Sequence, residues 1–402
     1  MLLTIGIIYF IYILLKVYIS VMEIGYVSKA KADKPVILLP SNYIKAAEYK
    51  IKSQRVTILS DLVDYMMFIF WIGFGLRWLD NSINIEDTSL KSVVYILSFL
   101  FINYLVSLPF SIYNSFYLDK RFGFSNIDAK LFIQDNIKSI ILTAIFGGGV
   151  VWVLAKIIQS YQNWWIWGFI LVFGIVLVIN MIYPTFIAPL FNKFTILEDS
   201  KLREDIEKLL SKVGLKSDGV FTIDASKRDN RLNAYFGGLG KSKRVVLFDT
   251  LIQKLNKNEL LAVLGHELGH YKNRDILKNI ALTGGLLFLM FAIFGNLPSK
   301  LFLDIGIQQS PYSIIALFLI FSPIVSFFWM PIMGIVSRHN EYEADKFGSE
   351  CESKEMLASA LKKLANENKS FPKSSNIFKF FYYTHPPLID RLKALGEKID
   401  ED

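Results

Sequence analysis

The stretch LAVLGHELGHYKN, residues 261–273, decides how the rest of the chain is interpreted. Its centre, His266-Glu267-Leu268-Gly269-His270, is an H-E-x-x-H pattern. Residues four apart share one face of a helix, so both imidazoles can reach the same metal ion. Glu267 lies one position further round, where a carboxylate can polarise a water molecule at that metal. The pattern predicts a zinc hydrolase; the alternative is two polar residues on an ordinary amphipathic helix.

The composition of the chain indicates a membrane protein. Of 402 residues, 53% are hydrophobic and only 20% are charged, whereas soluble proteins of this length seldom contain so much apolar sequence. The net charge of +8 fits an excess of Lys and Arg in cytoplasmic loops, so we expect a lipid bilayer and no nucleic acid as partner. The single cysteine, Cys351, excludes an intrachain disulfide and leaves no thiolate cluster for zinc.

Apolar segments long enough, or nearly so, to cross a hydrocarbon core of about 30 Å predict an α-helical integral membrane protein. The predicted spans are Leu2–Met22, Leu62–Leu79, Val93–Phe116, Ile140–Ala155, Trp164–Tyr183, Ile276–Leu297 and Ile314–Val336. The first lacks a preceding basic residue and a cleavage site, so we expect a retained anchor and not a signal peptide. The second is the weakest because it includes Asp64 and Arg77. Gly147–Gly149 and Pro323 predict kinks or close helix contacts.

Loop charges predict the orientation of the spans. The loops after the first, third and fifth spans and the C-terminal tail are rich in Lys and Arg, and the other connections have few. Because basic loops remain in the cytoplasm, we expect the N-terminus outside and the H-E-x-x-H loop and C-terminus inside.

A polar insertion of about residues 184–275 separates the fifth and sixth spans. Its periodicity first predicts an amphipathic helix at Lys201–Val213, stopped by Gly214, and a strand at Val220–Asp224. Two further strands, Asn233–Gly238 and Arg244–Phe248, are predicted on either side of a hairpin turn at Leu239–Lys243. A helix capped by Asn258 follows. A small sheet followed by the metal-binding helix is the expected architecture. The predicted units are spans 1–5 (1–185), this insertion (186–275), spans 6–7 (276–336) and a cytoplasmic C-terminal region (337–402).

A catalytic zinc site usually has three protein ligands and one open position, so a third ligand must lie elsewhere. The segment SRHNEYEAD, residues 337–345, places Glu341 and Asp345 four apart on one helix face. One carboxylate can bind zinc and the other can accept the free N–H of a ligating histidine; the alternative is a solvated helix start after a span. His339 and Glu343 lie on other faces, and we expect a solvated or supporting role for the former and solvent exposure for the latter.

A third constellation, YYTHPPLIDRL, occupies residues 382–392. Peptide hydrolysis at zinc develops negative charge on a tetrahedral oxygen, which a nearby His or Arg donor would stabilise. His385, whose backbone Pro386 and Pro387 restrict, suits that role. Arg391 either assists or holds a carboxylate, and Tyr382 and Tyr383 are expected to pack.

Several of these segments resemble, in order, motifs of the CaaX prenyl protease family, the type I integral-membrane zinc metalloproteases with seven spans. The similar segments are FYLDKRFGFS, YPTFIAPLFNKFTILEDSKL, SKRDNRLNAYFGGLGKSKRVVLFDTLI, LAVLGHELGH, SRHNEYEAD and YYTHPPLIDRL. They cover most of the chain. Ile196 stands where the family often has proline, and the tight loops favour a prokaryotic source.

The resemblance implies one Zn²⁺ per chain and a set of site residues. Its ligands would be His266, His270 and Glu341, with Glu267 as catalytic base and Asp345 as the supporting carboxylate. Asn233-Ala234-Tyr235 would lie on an edge strand that aligns the substrate backbone, and His385 and Arg391 around the substrate carbonyl. The implied fold is a ring of seven helices around a water-filled chamber, capped by the zinc domain.

The resemblance also implies peptide or protein substrates with prenylated C-termini, cleaved C-terminal to the prenylated cysteine. One alternative is a heat-shock membrane protease that degrades damaged membrane proteins, a family with the same zinc motifs but fewer spans. Another is a transporter or receptor with a structural zinc. We disfavour the latter because the predicted spans look almost free of charge near the midplane.

Overall fold

The computed structural model describes residues 1–215, 219–237 and 243–399. The α-helices, in chain order, are α1 Leu2–Ala30, α2 Pro40–Phe70, α3 Leu76–Ser82, α4 Thr88–Tyr113, α5 Asp119–Arg121, α6 Ala129–Leu142, α7 Gly148–Ser160, α8 Trp164–Ile182, α9 Ser200–Lys212, α10 Asp249–Lys254, α11 Lys257–Lys272, α12 Asp275–Gly295, α13 Ser299–Ile305, α14 Pro311–Cys351, α15 Lys354–Glu367, α16 Asn376–Tyr382 and α17 Leu388–Ala394. The strands are β1 Phe194–Ile196, β2 Val220–Ile223, β3 Ala234–Gly237 and β4 Arg244–Phe248. Short 3₁₀ turns occupy Ala188–Leu190 and Ala225–Lys227.

Seven helical segments are long and apolar enough to cross a membrane, which confirms the predicted spans and their order. They are Leu2–Ala30, Pro40–Ser82, Thr88–Arg121, Ala129–Ser160, Trp164–Leu190, Asp275–Gly295 and Pro311–Cys351. Most extend beyond the predicted limits, since helices continue past their apolar residues into polar sequence. Large apolar side chains such as Ile145 and Phe146 point outwards, exposed by 64% and 68%, as expected where lipid is the solvent.

Four of these spans contain a π-helical turn, at Trp71–Gly75, Asn114–Leu118, Thr143–Gly147 and Tyr183–Ile187. The third of these turns reaches the glycine run at 147–149, where a kink or a close helix contact was predicted. In contrast, α14 continues as one helix through Pro323 and Pro331. It also continues through Val336, the predicted limit of the seventh span, to Cys351.

The first two spans contain a buried ion pair, in a set of spans expected to be almost free of charge near the midplane. Lys16 of α1 pairs with Asp61 of α2, and only 3% of Asp61 is exposed. The two residues lie 45 apart in the chain, and pairing is what makes buried charge within a span tolerable. The predicted limits of the second span began one residue after Asp61.

The insertion before α12 folds around a four-stranded sheet of order β1-β2-β4-β3. The predicted hairpin is confirmed by the antiparallel pairing of β3 with β4, in which Ala234 lies opposite Leu247. Most of its predicted turn, residues 239–242, lies outside the described residues. Strand β2 runs parallel to β4 and pairs on its other side with β1, a strand that we did not predict. Strand β3 is therefore at an edge of the sheet.

The two predicted helices of the insertion also form. Gly214, at φ +65°, follows α9 where a stop was expected. The predicted N-cap of the metal-binding helix was wrong by two residues: Asn256, and not Asn258, begins α11. The Asn256 side chain accepts the backbone N–H of Glu259 at 2.9 Å, and Glu259 accepts the backbone N–H of Asn256 at 2.9 Å. This reciprocal capping box needs a Glu three residues after the cap, and only Asn256 has one.

Candidate active site

The two histidines of α11 face one point in space. Their Nε2 atoms lie 3.2 Å apart, too close for two ring nitrogens that both present lone pairs unless a cation or proton lies between them. Each Nδ1 is already committed, that of His266 to Asp345 at 2.8 Å and that of His270 to Asp275 at 2.9 Å. Because a carboxylate accepts the Nδ1 proton, both Nε2 lone pairs are directed at the shared point.

Glu341 of α14 completes this cluster. Its Oε1 lies 3.3 Å from His270 Nε2, and its Oε2 lies 3.6 Å from His266 Nε2. Only 3% of Glu341 is exposed, and Oε2 accepts no hydrogen bond within the described chain. A buried, unsatisfied carboxylate oxygen facing two nitrogen lone pairs is the donor set of a divalent cation. His266, His270 and Glu341 can therefore hold a metal ion, all three ligand atoms lying within 4.8 Å of one another.

Asp275 is a site residue that the sequence analysis missed. Arg274 adopts the left-handed conformation, at φ +57°, immediately after α11. This reversal turns the chain so that the next residue, at the start of α12, reaches back to His270. Asp275 is 3% exposed and also accepts from Lys278 at 2.7 Å. The sequence did contain a signal for this role, because Asp275 is an acidic residue just past the end of the H-E-x-x-H helix.

Close packing of α11 on α14 brings the histidines to Glu341. A Cβ on Gly269 would lie 2.7 Å from the Cα of Ala344, and one on Gly348 would lie 2.8 Å from the backbone nitrogen of His266. Gly265, one turn before Gly269, faces Cys351 in the same way. These small residues let two backbones approach, a role that the G-x-x-x-G spacing within the histidine motif could have suggested.

Arg391 of α17 lies behind the ligands and is 9% exposed. Its Nη2 and Nε donate to Asp345 Oδ1 and Oδ2 at 2.6 and 2.8 Å, and its Nη1 lies 3.3 Å from Glu341 Oε2. Of the two roles anticipated for Arg391, this geometry favours holding carboxylates. The chain of contacts Arg391–Asp345–His266 orients a potential metal ligand from two elements.

Glu267 lies beside the cluster on α11. Burial raises the pKa of its carboxyl, and the histidines on either side oppose that shift. His385 approaches from the other side, with its Nε2 3.2 Å from Glu341 Oε1, and its side chain is largely exposed to the open face of the site. His339 and Glu343 are exposed and stand outside the cluster, as expected.

Both ends of α16, the helix before His385, are held by other elements. Glu23 of α1 is fully buried and accepts the Ser374 and Ser375 hydroxyls at 2.7 Å and the Ser375 backbone N–H at 2.9 Å. At the other end, Arg338 of α14 donates to the Tyr383 carbonyl. The predicted packing role of Tyr382 and Tyr383 is confirmed by their contacts with the membrane core. His385 is thus positioned by the first and last spans.

The predicted substrate strand, Asn233-Ala234-Tyr235, lies at the sheet edge beside α11. The Asn233 side chain accepts the backbone N–H of Ala234 at 2.9 Å. Just before it, the Asn368 side chain holds the backbone of Leu232 by bonds of 2.8 and 3.2 Å. The start of this edge strand is therefore held by Asn368, and the strand lies against α11, the helix of the two histidines.

Comparisons with known proteins match both halves of the chain. Residues 34–193 match the CAAX prenyl protease N-terminal family, described as five membrane helices, and residues 197–399 match peptidase family M48. The chain is 34% identical to the CAAX prenyl protease 1 homolog of Oryza sativa, over 86% of this chain and 83% of that protein. It is 35% identical to the corresponding Homo sapiens protein, over 76% and 73%. The crystal structure of S. mikatae Ste24p superposes with a TM-score of 0.91 and 29% identity, covering 98% of this chain and 99% of that one.

These matches agree with the geometry of the histidine cluster and with the seven spans. A metalloprotease family implies a bound metal, and the N-terminal family implies a multi-pass membrane protein. The chain belongs to peptidase family M48, as a membrane metalloprotease of the CAAX prenyl protease type.

Proposed function

We propose that His266, His270 and Glu341 bind one zinc ion per chain and that Glu267 is the general base of peptide-bond hydrolysis. The observation that supports this most directly is the pair of Nε2 atoms 3.2 Å apart facing the unsatisfied Oε2 of Glu341. Two nitrogens and one carboxylate oxygen are a common catalytic zinc donor set. When bound, zinc would supply Lewis-acid polarisation of the scissile carbonyl and an acidified water.

The residues around the ligands have distinct roles in this proposal. Glu267 takes a proton from the attacking water and passes it to the leaving amine, a task that suits a carboxylate with a raised pKa. His385 donates a hydrogen bond to the developing oxyanion. Asp345 and Asp275 fix the two imidazole rings, and Arg391 holds Asp345. Asn233, Ala234 and Tyr235 align the substrate backbone along β3.

We propose that the substrates are proteins or peptides with prenylated C-termini, from which the last three residues are removed. The names of the relatives, CAAX prenyl protease 1, support this specificity. The basic loops further support a cytoplasmic active site with the N-terminus outside. The membrane would be a prokaryotic cell membrane, or the endoplasmic reticulum in a eukaryote.

The central experiment uses the purified full chain in detergent. Wild-type protein should cleave a prenylated C-terminal peptide and should contain one zinc per chain. Glu267→Gln should retain zinc and lose cleavage, because only proton transfer is removed. Turnover by Glu267→Gln at the wild-type rate would refute the base assignment.

A second peptide, identical but without the prenyl group, tests the substrate class. Preferential cleavage of the prenylated peptide supports CaaX-type processing. Equal cleavage of the two, or cleavage only of misfolded membrane proteins, would instead describe a quality-control protease. A protein that binds zinc but hydrolyses none of the peptides would instead have a structural zinc site.

A further inference from the structure

A pocket of about 500 Å³ opens beside His385. Its walls come from α2, α15 and the segments that follow α15 and α16; the residues relevant here are Tyr49, Lys50, Asn368, Lys369, His385 and Arg391. The volume suits a short peptide end and not a folded partner. His385 links the pocket to the histidine cluster, since its Nε2 lies 3.2 Å from Glu341.

The charged side chains that line this pocket are all cations. Arg391 is paired with Asp345, and Lys50 lies 3.5 Å from the buried Glu23. Lys369 differs from both, because no carboxylate pairs with it anywhere in the described chain. It lies over the Phe124 ring at 4.6 Å and is half-buried. Burial and the neighbouring Lys45 lower the pKa of Lys369, and the carboxylate of Glu367 opposes that shift.

The backbone of Lys369 belongs to the turn that ends α15. It adopts φ +45°, the left-handed region that favours glycine, directly after α15. The amide of Ser370 donates to the Ala365 carbonyl at 2.9 Å and closes this turn. This is the turn that commonly ends a helix, and it fixes where the side chain of Lys369 leaves α15. What points to a ligand is that the ammonium lines the pocket and has only an aromatic ring as partner among the described residues.

The pocket lies at the N-terminal end of the edge strand β3. Asn368, adjacent to Lys369, holds both backbone groups of Leu232, and Tyr49 accepts from Arg231 at 2.9 Å. A peptide that adds to β3 in the antiparallel sense, the more stable pairing per residue, runs opposite to β3. Its C-terminal end therefore points past Asn233 into this pocket.

We propose that the pocket binds the free C-terminal carboxylate of the peptide substrate, with Lys369 as the cation that pairs with it. This inference rests on the proposed function and deepens it, because it explains how an enzyme could select cleavage sites close to a chain end. An internal segment of a protein has no such carboxylate. Specificity for the end would then come from charge as well as from the prenyl group.

The test compares two prenylated peptides that differ only at the C-terminus, a free acid and its amide. For wild-type protein, kcat/KM should favour the acid by about tenfold, a typical effect of one close charge pair. Lys369→Met should reduce this ratio towards one, Lys369→Arg should keep it, and Lys369→Glu should invert it. Lys201→Met, which removes an exposed lysine of α9, is the matched control and should keep the wild-type ratio.

Dissociation constants of the same two peptides for the Glu267→Gln protein give the ratio without turnover. The pocket is therefore tested even if hydrolysis is absent, in which case the proposed function fails separately. Equal binding and equal cleavage of acid and amide by wild-type protein would overturn the inference while leaving the protease intact. So would an unchanged preference for the acid in Lys369→Glu.

Discussion

At the scale of single residues, the site consists of imidazole rings and carboxylates that orient one another through hydrogen bonds. His270 is the clearest case, since its Nδ1 donates to Asp275 while its Nε2 faces the proposed metal position. A histidine whose Nδ1 proton is anchored is a better ligand, because its tautomer and orientation are preset.

Asp275→Asn should therefore weaken zinc binding without removing a ligand. We expect a loss of about 10- to 100-fold in zinc affinity, measured by competition with a chromophoric chelator. Glu343→Gln removes an exposed carboxylate of α14 two residues from Glu341 and is the matched control. Equal zinc affinity of Asp275→Asn and wild-type protein would mean that the contact is incidental.

His385 and Arg391 line the same pocket, but substitutions of the two residues should have different effects. His385→Gln should keep zinc and stability and lower kcat by about 10²- to 10³-fold, the usual cost of one lost oxyanion donor. Arg391→Met leaves buried Asp345 without its cation, so we expect a loss of about 3–5 kcal/mol in unfolding free energy and weaker zinc binding. Zinc content and thermal unfolding in detergent distinguish the two; a stable, zinc-loaded Arg391→Met protein would contradict this division.

At the scale of elements, the site depends on how closely α11 approaches α14. Gly269 lies against the backbone of Ala344, and a larger side chain there must move one of the two helices. Both histidines are on α11 and Glu341 is on α14, so that movement changes the ligand geometry directly.

Gly269→Val should consequently reduce zinc affinity by at least about tenfold and unfolding free energy by about 1–3 kcal/mol, as overpacking does. Gly149→Val is the control, because a Cβ at Gly149 meets no atom within 4 Å. Metal competition and thermal unfolding measure both. The same zinc affinity in the two variants would show that α11 and α14 adjust without cost.

Local sequence signals predicted the elements well, and long-range contacts account for what was missed. The spans, the β3–β4 hairpin and the helix of His266 and His270 follow from periodicity and length alone. The Lys16–Asp61 pair, the pairing of β1 and the position of Asp275 depend on residues brought together only by the fold. The wrong N-cap of α11 could have been avoided from the sequence alone, since the capping-box residues Asn256 and Glu259 are visible there.

At the scale of the whole molecule, the proposed metal position joins three parts of the chain. His266 and His270 belong to the insertion, Glu341 to the last span, and Arg391 and His385 to the C-terminal region. Without a metal ion, the Glu341 carboxylate and the two imidazoles share no single partner within residues 1–215, 219–237 and 243–399. The family match and the three-ligand cluster were predictable from motifs, but the dependence of one part on another was not.

Removal of the metal should therefore destabilise more than the site. Chelation should lower the thermal unfolding temperature and make the C-terminal region, residues 384–399, more sensitive to protease. Restoring zinc to a concentration 100 times its dissociation constant should return about 2.7 kcal/mol of stability. The Glu341→Gln protein, which lacks one ligand, should gain less from zinc; an equal gain would indicate that zinc binds elsewhere.

The continuous helix α14 has one more consequence. It runs from Pro311 to Cys351 with no interruption, and the same rod contacts the membrane core at one end and bears Glu341 near the other. Each residue of a helix turns the side-chain direction by about 100° around the axis. The direction of the Glu341 carboxylate is therefore coupled to the face that the membrane turns of α14 pack against their neighbours. Adding a single residue between them would rotate Glu341 out of the site, whereas adding seven would nearly restore its direction but would move it by about 10 Å along the helix axis. The number of residues between the membrane turns of α14 and Glu341 therefore determines both the direction and the height of that carboxylate.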